Sequence, residues 1–188
     1  SYANLEVLVP DGFPSLPLQE AAEALMARPD HDKMVRSEND GKFLLTAARS
    51  PRFRSVQVCC CRAKTLEDLE TQFGAMAFLL PDGSAFLAFR GTDLTLVGWK
   101  EDFNMSFQDI VPAQTEAAEY LKEFAAVFDG PLYLTGHSKG GNLSVYAAAT
   151  ASLDVQERIR AVYNYDGPGF GQSMMGSEGY LRMIPRIQ

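Results

Sequence analysis

Histidine is nearly absent from this 188-residue chain, which has only His31 and His137. Cysteine is confined to one run of three, Cys59 to Cys61, in "SVQVCCCRAK". Neighbouring strand residues point to opposite faces, so three consecutive thiols make a poor disulfide framework and a poor metal cage. They read as reduced thiols packed in a sheet, where free cysteine behaves as a small apolar residue. A cytoplasmic protein without a metal site or cofactor is expected. Basic residues are outnumbered, with 17 Lys and Arg against 24 Asp and Glu and a net charge of -7. A general nucleic-acid surface needs clustered cations to neutralise phosphates and is not expected here. No apolar run reaches the roughly 18–20 residues needed to cross a bilayer. The start, "SYANLEVLVPDGFPSLP", lacks the basic and apolar regions of a signal peptide. Repeats and low-complexity tracts are missing too.

What is present is a core. Hydrophobic residues make up 46% of the chain, enough for one globular domain spanning residues 1–188. "LQEAAEALMAR" (Leu18 to Arg28) has helical spacing and stops at Pro29. A second helix is expected from Asp40 to Ala48. "SVQVCCC" reads as a strand, and "FGAMAFLLPDGSAFLAFRG" as a β-hairpin turning at "PDGS". "PAQTEAAEYLKEFAAVF" is an amphipathic helix. Then come a short buried strand "LYLT", a turn "GHSKG", a helix "GNLSVYAAATA", a strand "AVYNY" and the loop "DGPGFGQ". Helices alternating with short strands in the second half predict a mixed α/β domain, its sheet mostly parallel and covered on both faces.

The turn carries the chemistry. Gly136-His137-Ser138-Lys139-Gly140 fits the G-x-S-x-G nucleophile elbow, in which a serine sits on a strained strand-to-helix turn clear of the sheet. Glycines two before and two after allow close backbone approach. The helix that follows aims backbone N–H groups and its positive dipole end at the site, which suits an oxyanion.

Three blocks carry a resemblance. "GHSKGGNLSVYAA" resembles the GHSxGGxxA segment of class 3 lipases. "AFLAFRGTDLTLVGWKEDF" resembles that family's FRGT…W…D segment, and "NYDGPGFG" its G-x-P-x-x-G segment. Order and spacing agree over roughly residues 73 to 175. "GWKEDFNMSF", "GHSKGGN" and "DGPGF" look closest to a bacterial branch of the superfamily known mainly as a domain of unknown function. The resemblance implies an α/β-hydrolase fold with Ser138 as nucleophile and the N–H groups of Lys139 and Thr92 as oxyanion donors. The Lys139 side chain itself is expected to be a solvated charge. Residues Asp93 to Phe107 fall where class 3 lipases carry a lid, and they include Leu94, Leu96, Val97, Trp99 and Phe103. Permanent packing as core is the other reading of that segment. Asp102 is expected to be structural.

A serine nucleophile needs a base, usually histidine, oriented by a carboxylate. His137 precedes Ser138 directly, where adjacent side chains diverge, and His31 suits a surface or capping role. Asp166 follows a strand and should emerge on the same sheet edge as Ser138. Class 3 lipases place the acid later, and the usual order is Ser, acid, His. No histidine follows Ser138. The expectation is that the domain continues beyond Gln188 and that base and final acid lie there, with Asp166 the other candidate acid. The substrate is expected to be a small or lipid-like ester, with thioester and amide left open. A hydrolase-fold module without catalysis, binding an apolar ligand or a protein, is the rival.

Overall fold

The computed structural model of the chain describes residues 3–12, 14–66, 71–91 and 110–188. Among these, six strands form one sheet whose spatial order follows the chain: β1 (Leu16–Pro17), β2 (Gln57–Leu66), β3 (Thr71–Leu79), β4 (Ala85–Phe89), β5 (Leu132–His137) and β6 (Ile159–Tyr165). The helices are α1 (Leu18–Met26), α2 (Glu38–Arg49), α3 (Pro112–Val127), α4 (Lys139–Thr150), α5 (Leu153–Arg158), α6 (Gln172–Met175) and α7 (Glu178–Met183). This is a mixed α/β fold.

The expected parallel majority is corrected. Three of the five strand pairings, β1–β2, β2–β3 and β3–β4, are antiparallel, and only β4–β5 and β5–β6 are parallel. For β2–β3 and β3–β4 connection length decides this. β3 and β4 are joined by a tight turn in which Leu80 N–H donates to Ser84 O at 2.9 Å and Gly83 adopts φ +80°. Asp82 Oδ1 accepts from Ser84 N–H at 3.0 Å and from its hydroxyl at 2.6 Å. Parallel pairing needs a long crossover: β4–β5 is joined through α3, and β5–β6 through α4 and α5. β2–β3 and β3–β4 have only short connections, and β1–β2 is antiparallel although α1 and α2 lie between its strands. Beyond β6, Ile187 pairs with Val162 in parallel, with Gln188 N–H donating to Val162 O at 2.9 Å.

The sheet separates two apolar clusters. On one side Phe73, Ala75, Ala77, Leu87, Leu132 and Leu134 pack under α3 and α4, which bring Tyr120, Leu121, Phe124, Leu143 and Ala147. Both crossover helices lie there because successive right-handed crossovers advancing in one direction fall on the same face. On the other side α1 and α2 cover Val58 and Cys61, with Met76 and Phe78 packed against them. Leu18, Ala21, Ala22 and Leu25 are the buried stripe of α1, spaced i, i+3, i+4, i+7. Ser37 caps α2 by accepting from Asp40 N–H at 3.3 Å.

The cysteines depart from simple alternation. Cys59 pairs with Ala77 and Arg62 with Ala75, so Cys60 and Cys61 together face one residue of β3 across a bulge. Cys60 takes φ +51°. The bulge turns Cys59 and Cys60 into the cluster under α3, while Cys61 joins the opposite one. All three thiols are free and buried. Burial first, then the nearby Glu6, pushes the Cys61 thiol up to about 12. The bulge is held from both sides: Cys60 N–H donates to Gly12 O at 3.1 Å, and the Tyr120 hydroxyl donates to Cys60 O at 2.9 Å. Burial pushes the Tyr120 phenol well above its ordinary range, so it remains a donor.

Tyr120→Phe should therefore leave a buried carbonyl without its donor and cost about 1–3 kcal/mol. A urea titration checks this. An unchanged midpoint would show that the bulge does not depend on that hydroxyl.

Candidate functional site

Ser138 links the last residue of β5 to the first of α4 with φ +54° and ψ -127°. An L-residue with positive φ is strained and persists only where its surroundings over-determine it. Those surroundings are backbone packed on backbone. A Cβ on Gly136 would lie 2.1 Å from Gly140 O, and one on Gly140 would lie 2.2 Å from Phe89 O. The first turn of α4 is thus seated directly on the ends of β4 and β5. Ser138 N–H donates to Tyr165 O at 2.8 Å, which fixes the turn to β6 as well.

Asp166 stands beside it. His137 and Tyr165 are register partners, so Ser138 and Asp166 are the first residues beyond adjacent parallel strands. Asp166 is exposed and also left-handed, with φ +54°. Its backbone is turned by a neighbour that the sequence reading did not weigh: Asn164 Oδ1 accepts from Gly167 N–H at 3.0 Å. The same oxygen would meet a Cβ on Gly141 at 2.2 Å and one on Gly167 at 2.3 Å.

A buried polar relay ties two of the sequence blocks to the start of α3. Gln114 Oε1 accepts from Val111 N–H at 3.0 Å at the start of α3, and its Nε2 donates to Asn142 Oδ1 at 2.8 Å. Asn142 Nδ2 donates in turn to Pro168 O at 2.9 Å. "GGN" and "DGPG" were both visible in the sequence, but nothing in it signalled that Gln114 would join them.

Lys139 opens α4, where first-turn N–H groups have no carbonyl within the helix and point outward. Its side chain is only 1% exposed, which corrects the expectation of a solvated charge. The cause is the enclosure of α4 by β4, β5, β6, α3 and α7, which buries every residue from Lys139 to Ala149. Thr92 and the apolar residues Leu94, Leu96, Val97, Trp99 and Phe103, like Asp102, lie outside the described residues. His137 ends β5 exposed. His31 lies in a short 3-10 turn after α1, its Nδ1 donating to Arg28 O at 2.9 Å. Among the described residues no group of His, Cys, Asp and Glu could hold a metal ion. No helix among them is long and apolar enough to cross a membrane.

A family model described as Mbeg1-like matches residues 47–188, and the chain belongs to that family, a lipase-like one. No curated protein sequence matches the chain.

The packing predicts an asymmetry between glycines. Gly140→Ala forces a backbone collision and should cost about 3 kcal/mol or more, or prevent folding. Gly169, where a Cβ would meet nothing within 4 Å, should accept alanine with a change of about 0.5 kcal/mol or less. Thermal melts of the two variants measure the difference, and equal effects would contradict the seating of α4.

Proposed function

We propose that this member of the Mbeg1-like family is a serine hydrolase cleaving carboxylic esters through an acyl-enzyme on Ser138. The observation that carries the reading is the strained φ of Ser138 at a strand-to-helix turn whose flanking glycines touch neighbouring backbone. In this reading the Ser138 hydroxyl oxygen attacks the ester carbonyl carbon. The backbone N–H groups of Lys139 and Thr92 hold the resulting oxyanion, aided by the positive end of α4. The bond to the alcohol oxygen breaks, and the alcohol leaves with a proton. Water then releases the acid and restores the serine.

The hydroxyl proton needs an acceptor, and the reading assigns that role to neither His31 nor His137. Asp166 is proposed as the supporting carboxylate, an assignment favoured by its place at the end of the strand next to Ser138. Leu94, Leu96, Val97, Trp99 and Phe103 are proposed as an apolar cover over the acyl group.

A fluorophosphonate probe tests the nucleophile. It should label Ser138 alone, as mapped by mass spectrometry, and Ser138→Ala should abolish labelling. A label that persists in Ser138→Ala would sink the assignment. Asp166→Asn should lower turnover of a model ester at least a hundred-fold if the carboxylate orients the base, with a melting temperature close to wild type. Turnover within a few-fold of wild type would remove Asp166 from the site.

A further inference from the structure

The sheet face opposite α4 carries a cavity of about 800 Å³. Its floor is formed by side chains of β3, β4 and β5, among them Phe78, Phe86 and Ala88. Its roof comes from α2, through Phe43, Leu44 and Ala47, together with Leu5 and Leu18. One end lies at the β3–β4 turn, beside Phe53, Arg52 and Asp82. The other reaches Arg90, Gly91 and His137, at the edge of the sheet where Ser138 sits.

Size, lining and direction together define a ligand. The volume falls within the range of small-molecule sites, and the walls are apolar with polar side chains confined to a few places. The cavity follows β4, whose five residues extend about 16 Å at roughly 3.3 Å each. An extended alkyl chain of about a dozen carbons has that length. Two of the lining residues, Ala47 of α2 and Ala88 of β4, are small and so leave room for a ligand. At the far end Arg52 lies over the Phe53 ring at 5.4 Å, so a longer chain would meet a charge and solvent there.

We propose that this cavity binds a fatty acyl chain, its polar head at His137 and its tail toward Phe53, and that its N-terminal wall sets the preferred chain length. Ala3, Leu5, Leu18, Phe43 and Leu44 all precede residue 47, where the family match begins. The residues proposed to set chain length thus lie outside the span of the family match. Binding of the tail stands on the cavity alone. Only the identity of the head as the scissile ester rests on the hydrolase reading.

The test measures binding and uses no turnover. A dansyl-labelled undecanoic acid is bound to the purified Ser138→Ala protein and displaced by saturated fatty acids from hexanoate to octadecanoate. Affinity should rise roughly four-fold per added methylene and level off near dodecanoate. Ala47→Phe and Ala88→Phe should each weaken dodecanoate binding ten-fold or more and move the plateau to shorter chains, with circular dichroism unchanged. Affinity independent of chain length, or wild-type binding by both filled variants, would overturn the proposal. Should the filled variants unfold, a diazirine-bearing dodecanoate photolysed on the Ser138→Ala protein gives the answer. Adducts on α2, β3 or β4 support the cavity, and adducts only elsewhere refute it. An absence of ester turnover would end the hydrolase reading and leave these curves as they are. A flat binding series would remove the cavity and leave labelling of Ser138 intact.

Discussion

The structure depends on one close approach, that of the first turn of α4 to the ends of three parallel strands. Gly140 abuts the Phe89 carbonyl, Gly136 abuts Gly140, and Gly141 abuts Asn164. No side chain fits in any of these contacts, so the helix cannot rise from the sheet without losing them. Ser138 has to complete the reversal from strand to helix in a single residue, which forces its positive φ. The strain, of order 1–3 kcal/mol for such a residue, is offset by hydrogen bonds that only this seating permits. Ser138 N–H finds Tyr165 O, and Ser138 O accepts from Gly141 N–H at 2.9 Å.

Polar groups enforce the same arrangement from further away. A buried amide left unpaired costs about 1–3 kcal/mol, so Gln114 and Asn142 act as constraints on every element they touch. Through them the start of α3, the second turn of α4 and the loop after β6 are held at one relative position. Gln156 does comparable work at the other end of α4. Its Nε2 donates to Ala148 O at 2.9 Å and Ala149 O at 3.1 Å, and its Oε1 accepts from Arg182 at 2.6 Å. These bonds satisfy carbonyls of the last turn that the helix itself leaves open. The elbow helix is thus clamped at both ends by side chains from different parts of the chain.

Much of this was legible in the sequence, and what was not shares a cause. Periodicity located α1 and α3, "PDGS" located the β3–β4 turn, and the glycine pattern located the turn at Ser138. Each of these is a local signal. The bulge at Cys60 was hidden because it exists only in the register between β2 and β3, two residues against one. The burial of Lys139 was hidden because its surroundings come from strands and helices remote in sequence. The roof over the outer face was hidden for the same reason: Ala3 and Leu5 lie in and beside a single 3-10 turn, too short for any period. The antiparallel share of the sheet was misjudged because β2, β3 and β4 follow one another through short connections and β1 adds a further antiparallel partner, leaving only the two pairings after β4 parallel.

The two faces of the sheet meet at β4. The Arg90 guanidinium donates from Nη1 to Glu6 and Asn4, each at 2.8 Å, and so fastens the N-terminal segment to the end of that strand. Gly74 makes room for it, since a Cβ there would come within 2.7 Å of Arg90 Nε. Arg90 N–H donates to Gly74 O at 2.8 Å, so its backbone is anchored to β3 while its side chain holds the N-terminal segment. The preceding residue, Phe89, supplies the carbonyl against which Gly140 packs. Successive residues therefore hold the roof of the outer cavity and the seat of the elbow. A shift of the N-terminal segment that pulled on Arg90 would act on the Phe89 carbonyl one peptide away, and interiors packed this closely transmit such strain rather than absorb it. The N-terminal segment and the seat of the Ser138 turn thus meet at two successive residues, Phe89 at the end of β4 and Arg90 just beyond it.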